Sequence, residues 1–315
     1  MIQPKVFSSW LGPHFERFVA IKQAGGAKYS TQEGILVAFD RFVLETAPRP
    51  PLRIGTVLGY PPLHRNSPRT RENVISVIWQ AVDFSLRHGA EVEPLPERPP
   101  KPLRHYRQRP PRIVSEAEVV DVIAAARALL PADRLRPATM ATLIGLLYTT
   151  GLRIGEALSL DVGHFNREHG VLTVVEGKFG KSRDLPLRAS TAQALVRYIE
   201  DPRRPIGRSP GAPVFVSGRK RRLSQPTVRP TLRALCEAAG IPKPWPRPHD
   251  FRHSFAIGRV ATWYDERKDV DSLLPVLSTY LGHCSVENTR RYLTANGVLL
   301  ERAAALFANQ TKVLD

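Results

Sequence analysis

Cysteine is scarce in this sequence, and long apolar runs are absent from it. Only Cys236 and Cys284 are present, which excludes a disulfide framework, and their spacing does not form a CxxC metal motif. No apolar run approaches the ~18 residues that a membrane-spanning helix needs, and the N-terminus lacks the apolar core of a signal peptide. We therefore expect a cytoplasmic protein with reduced thiols and no membrane partner.

Acidic residues are too few to balance the basic ones. Lys and Arg number 46 against 29 Asp and Glu, which gives a formal net charge of +17. A strongly basic chain attracts a polyanion, because it neutralises phosphates and releases their counterions. Nucleic acid is therefore the partner that the composition predicts.

Proline is abundant and unevenly distributed. Among the 29 prolines, a dense group falls between residues 94 and 112, where basic side chains alternate with them. Proline fixes φ and removes a backbone donor, so no helix or central strand persists there. Residues 94–112 are therefore predicted to be a semi-rigid basic linker between a domain at 1–93 and a domain at 113–315. Its basic side chains suit it to following the phosphate backbone of a nucleic acid. The alternative is a solvated spacer whose charge is incidental.

Apolar residues recur at helical spacing on both sides of this linker. They predict helices around residues 35–43 and, behind a Thr70 cap, around residues 74–81. After the linker, Ser115 and Glu118 predict a capping box that opens another helix. Its apolar face is expected to include Val119, Val120, Ile123 and Leu130, and a further helix is predicted at 138–149.

The period changes from helix to strand after residue 170. Residues 171–175 and 184–187 flank a turn rich in Gly and Lys, which predicts an antiparallel hairpin in which Pro186 needs an edge position. Residues 213–216 are a candidate third strand. The expected fold is mainly α with a small antiparallel β-hairpin or sheet.

Four segments combine a turn signal with a basic or nucleophilic side chain. The first, 149–158, places Arg153 near a helix start, where a cation opposes the helix dipole and needs Glu156 or a bound anion beside it. The second, the hairpin turn 177–183, carries Lys178, whose ammonium could reach a leaving oxygen. Alone, either segment is more typical of a solvated surface.

The third segment places His249 and Arg252 three residues apart on one helical face, where both could grip a single phosphate. His253 lies four residues from His249, so these two could form a metal-binding pair, with His283 and Cys284 as further ligands. No Glu base or matched ligand cluster accompanies them. We therefore expect no metal and no other cofactor.

In the fourth segment, 281–293, Gly282 is expected to end one helix, and Tyr292 lies two turns into the next. A tyrosine on a helix usually packs against the core. Its phenol, with a pKa near ~10, becomes a nucleophile only where cations or a base meet its charge. The three preceding segments supply such cations.

In this order and spacing, the four segments resemble the phage integrase family of tyrosine recombinases over residues 113–296. That family carries T-G-x-R-x-x-E, then G-K-x-x-K-x-R, then H-x-x-R, and finally L-G-H with a Tyr nine residues beyond its His. The matching positions here are Arg153, Lys178, His249, Arg252, His283 and Tyr292, with Glu156 as the supporting acidic residue. Lys181 is an alternative to Lys178, because Phe179 and Gly180 depart from the Gly-Asn that the family often has.

The resemblance implies a two-domain architecture, with a helical core-binding domain and a mixed α/β catalytic domain. It implies that Tyr292 attacks a phosphodiester of double-stranded DNA and forms a 3′-phosphotyrosyl bond, while Lys178 protonates the leaving 5′ oxygen. No ATP is needed, since the phosphotyrosine retains the bond energy. The expected assembly is a homotetramer in a synaptic complex, with sibling recombinases as further partners, at a nucleoid-associated location.

Two features suggest variations on this theme. Residues 263–268 look inserted, as in transposon- or integron-associated recombinases, and residues 298–307 predict an apolar C-terminal helix that packs on its own domain or on a neighbouring protomer.

Two alternative functions share the motifs. A type IB topoisomerase would relax DNA without joining strands of different duplexes. A member of the integrase family that has lost catalysis would act as a DNA-binding regulator.

Overall fold

The computed structural model describes residues 6–27, 29–96, 111–132, 134–175, 182–283, 285 and 289. The chain divides into two compact units, the first ending at Tyr106 and the second beginning at Arg107. Within the described residues, no helix combines the length and the apolar character needed to cross a membrane.

The first unit is helical. Its described helices are α1 (Gly12–Ala24), α2 (Ser30–Thr46), α3 (Ile54–Leu58), α4 (Pro62–Arg65) and α5 (Pro68–Arg87). Their apolar faces enclose one core, in which Phe15, Phe39 and Ile78 are fully buried. The prediction that Thr70 caps α5 was wrong. The helix begins at Pro68, and its N-cap is Ser67, whose side chain accepts the Thr70 N–H. Proline is well suited to a first helical position, since no intrahelical partner exists there for an N–H.

The second unit combines helices with a small sheet. Its described helices are α6 (Glu116–Arg127), α7 (Arg136–Thr150), α8 (Ile154–Ser159), α9 (Ala189–Ile199), α10 (Gln225–Ala238), α11 (Pro248–Asp265) and α12 (Val270–Leu281). α7 is the most deeply buried of them and packs against α6, α9 and α11. It is therefore the central element of this core.

The capping box that opens α6 is confirmed, with Ser115 and Glu118 bonded reciprocally. The predicted apolar face was partly wrong, since Val120 is 59% exposed and Leu130, beyond the end of the helix, is 78% exposed. The buried side chains of α6 are Val119, Val122 and Ala126. Their spacing of three and four residues defines one stripe, and Val120 lies off it.

The sheet has the order β1 (Phe165–Asn166), β2 (Val171–Val174) and β3 (Arg183–Pro186), all antiparallel. The predicted hairpin is confirmed as β2 and β3, and Pro186 lies on the edge strand β3. Residues 213–216 do not form the third strand. They are largely buried, but Val214 donates its N–H to the Leu160 carbonyl, so the segment pairs with the chain leaving α8 and not with the sheet.

Two left-handed glycines bring the functional segments together. Gly151 ends α7 with φ +65°, and a Cβ there would lie 2.6 Å from Phe255 Cδ1 and 3.0 Å from Leu281 Cδ2. The α7–α8 turn therefore packs directly on α11 and α12, as only glycine permits. Gly282 ends α12 with φ +64°, as predicted from the Leu-Gly-His segment.

The start of α11 is held in place by several polar contacts. Asp250 is fully buried and accepts the Arg247 backbone N–H at 2.7 Å and its guanidinium at 2.9 Å. Ser254 accepts the Val114 N–H at 2.7 Å, which ties the first residues after the linker to this helix. Residues 263–268 form the last turn of α11 and the connection towards α12.

Candidate active site

Arg153 lies at the N-cap of α8 and is paired with Glu156 one turn later. The Arg153 backbone N–H and Nη1 both donate to the carboxylate, at 2.9 and 2.6 Å. Glu156 is 8% exposed and the Arg153 side chain 26%. The predicted pairing of these two residues is present, and it offsets the repulsion between a cation and the positive end of the helix dipole.

Arg183 at the start of β3 also binds Glu156, a contact that the sequence analysis missed. Its Nη2 lies 2.9 Å from Glu156 Oε2, and its Nε donates to the Tyr280 carbonyl at 2.7 Å. Burial alone would raise the pKa of Glu156, but the hydrogen bonds and charges of Arg183 and Arg153 outweigh burial and hold that pKa below its usual value. The carboxylate therefore stays ionised between two cations. Arg183 is the final Arg of the G-K-x-x-K-x-R motif, and this match was the signal in the sequence that pointed to a role for it.

Arg252 is completely buried on α11. Its Nη1 donates to the Gly151 carbonyl at 2.8 Å and its Nη2 to the Leu281 carbonyl at 2.6 Å. Arg153 Nη1 reaches the same Leu281 oxygen at 3.4 Å, and Arg153 Nη2 donates to the Gly282 carbonyl at 2.9 Å. The two guanidinium groups thus converge on the C-terminal end of α12, where the helix dipole favours positive charge.

Two histidines lie beside these arginines. His249 precedes Arg252 by one turn of α11, and His283 follows Gly282 and places Nδ1 2.8 Å from Thr289 Oγ1. Burial and the charges of Arg252 and Arg153 lower the pKa of His283 to about 3. Partial burial, followed by the charge of Arg252, lowers the pKa of His249 as well. Both rings are therefore neutral near pH 7.

The structure thus brings Arg153, Arg252, His249 and His283 into one region of the second unit, with Glu156 beneath them. The remaining predicted residues and alternatives lie outside the described part of the chain: Lys178, Lys181, Cys284 and Tyr292. Where the chain is described, no three His, Cys, Asp or Glu side chains are grouped closely enough to hold a metal ion.

This arrangement is suited to an anion whose charge is spread over several oxygens. Two guanidinium groups share one carboxylate, so positive charge remains in excess around Glu156. Guanidinium presents fixed, forked donors that match phosphate oxygens, and the neutral imidazoles add further polar contacts. Since Arg252 is anchored by two carbonyls, its position is set before any ligand binds.

The histidines predict how stability depends on pH. Burial, with the neighbouring His249, lowers the pKa of His253 to about 4, and that of His283 is about 3. An unfolded histidine binds a proton near pH 6.5, whereas these two bind only far below it, so unfolding takes up protons between those values. The free energy of unfolding should therefore fall as pH falls from about 6.5 to 5, by up to about 1.4 kcal/mol per pH unit for each such histidine.

Urea unfolding at pH 5.0, 5.5, 6.0 and 6.5 measures this slope, in a window where most carboxylates do not titrate. The variant His253→Gln should lose part of the slope, because glutamine binds no proton. His14→Gln, the same substitution on α1 of the first unit, is the control for replacing a histidine. An identical slope in wild type and His253→Gln would contradict the assignment of a depressed pKa to His253.

The phage integrase family matches residues 112–297. The integrase/recombinase y4rE of Sinorhizobium fredii is 35% identical over 299 residues, which cover 95% of this chain and 96% of that protein. Tyrosine recombinase XerA of Pyrococcus furiosus is 32% identical over 196 residues, covering 61% and 60% of the two chains.

Among solved structures, the Tn1549 transposon integrase in complex with a circular intermediate DNA superposes with a TM-score of 0.63. The match covers 96% of this chain and 100% of that one, at 16% sequence identity. At this identity the likeness concerns the fold. It confirms the predicted mainly helical architecture with a small antiparallel sheet.

Proposed function

Because the chain belongs to the phage integrase family and is a tyrosine recombinase, we propose that it recombines double-stranded DNA through a 3′-phosphotyrosyl bond to Tyr292. The observation that carries this proposal is the convergence of Arg153 and Arg252 on the Leu281 carbonyl. Leu281, whose carbonyl oxygen both arginines contact, is two positions before His283 in the sequence, and Tyr292 is nine positions after His283. The net charge of +17 supports DNA as the substrate.

In the proposed reaction, Arg153 and Arg252 bind the two non-bridging oxygens of the scissile phosphate. Tyr292 Oη loses its proton to solvent and attacks phosphorus in line, the bond between phosphorus and the 5′ oxygen breaks, and Lys178 gives its proton to that oxygen. Charge grows on the non-bridging oxygens in the five-coordinate transition state, so fixed guanidinium groups stabilise it more than the ground state. Rejoining is the reverse reaction with the 5′-hydroxyl of a partner strand.

The neutral state of the two histidines fits hydrogen bonding better than charge neutralisation. His283 is bonded through Nδ1 to Thr289 Oγ1, which fixes the orientation of its ring beside the arginines. His249 lies on the same helix as Arg252, one turn away. We assign both as hydrogen-bonding groups around the phosphate, with the arginines supplying the charge.

The remaining parts of the proposal concern partners. A DNA-binding core domain at 1–93 and the basic linker at 94–112 would add phosphate contacts that position the duplex without reading its bases. Exchange between two duplexes requires four active protomers, so a homotetramer is the expected synaptic assembly, with sibling recombinases able to join it. We further propose, by analogy with the Tn1549 transposon integrase, that the recombined DNA belongs to a mobile element.

A suicide substrate tests the chemistry. Nicked duplexes tiled across the DNA on either side of the gene let the short 5′-hydroxyl fragment diffuse away after cleavage, which traps the covalent state. The expected result is a protein–DNA adduct, stable to denaturant, joined through a 3′-phosphate. Binding to these duplexes without any adduct would support a DNA-binding regulator that lacks catalysis.

Strand transfer separates recombination from relaxation. A type IB topoisomerase rejoins the strand that it cut, whereas a recombinase joins it to another duplex. With two duplexes of different length and different label, recombination yields products of new length. Adducts that only religate to their own duplex, together with relaxation of a supercoiled plasmid, would favour the topoisomerase.

A further inference from the structure

We propose that Arg183 is a positioning residue, which holds Arg153 and the Gly282–His283 turn in the geometry that binds the scissile phosphate. The inference rests on the proposed function, because it assigns a reason for a contact network around that site. Arg183 itself is directed at protein groups, and its side chain is 11% exposed.

The contacts of Arg183 and Arg153 form a closed ring. Arg183 Nη2 donates to Glu156 Oε2 at 2.9 Å, and Arg153 Nη1 donates to Glu156 Oε1 at 2.6 Å. On the other side, Arg183 Nε binds the Tyr280 carbonyl at 2.7 Å, and Arg153 Nη2 binds the Gly282 carbonyl at 2.9 Å. Both arginines therefore bridge the same carboxylate to the same helix end, so a shift of one moves the other.

Gly282 shows how tightly this ring is packed. A Cβ at Gly282 would lie 2.7 Å from Arg183 Nη1 and 3.0 Å from Arg183 Cζ. The guanidinium thus lies against the backbone of the turn that leads to His283. Because this turn also has φ +64°, a side chain there would strain the backbone and would displace the Arg183 guanidinium.

The backbone of Arg183 is fixed as well. Arg183 pairs with Val174 in the β2–β3 ladder, so the side chain starts from a hydrogen-bonded strand and reaches across to α8 and α12. A flexible loop could not supply such a fixed origin. Lysine at this position would keep the charge but lose the fork that contacts Glu156 and Tyr280 at the same time.

The test compares two substrates with one protein preparation. In one, the scissile phosphate is a normal phosphodiester, and in the other a methylphosphonate replaces one charged oxygen with a methyl group. Arginine support matters less for the neutral linkage, since less negative charge develops on it. Arg183→Lys should therefore slow adduct formation on the phosphodiester by about 10- to 100-fold, and clearly less on the methylphosphonate.

The ratio of the two rates does not depend on the folded fraction, because that fraction affects both substrates equally. The control is Arg167→Lys, which alters an exposed Arg–Glu pair at 2.6 Å just after β1 and should leave the ratio at its wild-type value. An unchanged ratio in Arg183→Lys, including equal loss on both substrates, would overturn the inference. Failure of the wild type to form an adduct on the phosphodiester would instead refute the proposed function.

Discussion

Replacing Tyr292 with phenylalanine should abolish the covalent protein–DNA adduct and leave DNA affinity within about twofold. Phenylalanine keeps the ring and lacks only the Oη that attacks phosphorus, so packing and phosphate binding persist while the nucleophile is lost. Loss of a covalent nucleophile costs at least about 10⁴-fold in rate. Electrophoresis under denaturing conditions with an end-labelled suicide substrate measures the adduct, and a gel-shift titration measures binding.

The control is Tyr264→Phe, a change of the same kind on the last turns of α11. This variant should form the adduct at the wild-type rate. An adduct that persists in Tyr292→Phe would assign the nucleophile to another residue. Peptide mapping of the trapped complex would then identify it.

Features set by local chemistry were predicted from the sequence. The capping box at Ser115, the helix end at Gly282, and the β2–β3 hairpin each depend on residues within a few positions of one another. The pairing of Arg153 with Glu156 belongs to the same class, since a separation of three residues on a helix brings side chains together. Such contacts need no knowledge of the tertiary fold.

Features set by the tertiary fold were missed or misassigned. Residues 213–216 have the apolar composition of a strand, but which backbone they pair with is decided by the chain leaving α8. The third strand is instead Phe165–Asn166, whose two residues are too few to give a period. Val120 is exposed because α10 and α7 contact α6 along one stripe only.

The candidate active site shows the same division between contacts set by local sequence and contacts set by the tertiary fold. The motifs predicted which side chains matter, but not that Arg252 would be fully buried or that Arg183 would share Glu156 with Arg153. Those contacts join positions 27 and more residues apart, and no sequence pattern encodes the distance between them. Lys178 and Tyr292 lie outside the described residues, so their roles remain predictions from the motifs.

Arg252→Ala should reduce the rate of adduct formation by about 10²- to 10³-fold, because it removes one forked donor from the transition state. It should also lower the free energy of unfolding by roughly 2–4 kcal/mol, since the Gly151 carbonyl loses its side-chain donor, the Leu281 carbonyl keeps only the longer bond from Arg153, and a cavity remains. Arg252→Lys should restore part of the stability and little of the rate, because one ammonium cannot reproduce the fork.

A second buried arginine separates the two effects. Arg204 is 9% exposed and, like Arg252, donates to main-chain carbonyls, among them that of Val214 at 2.7 Å. Arg204→Ala should therefore destabilise the protein by a comparable amount, while the folded fraction keeps a rate within about threefold of wild type. Urea unfolding gives the folded fraction, and single-turnover cleavage gives the rate. If both variants lost the same rate per folded molecule, the effect of Arg252→Ala would be one of stability, and Arg252 would have no specific part in binding the phosphate.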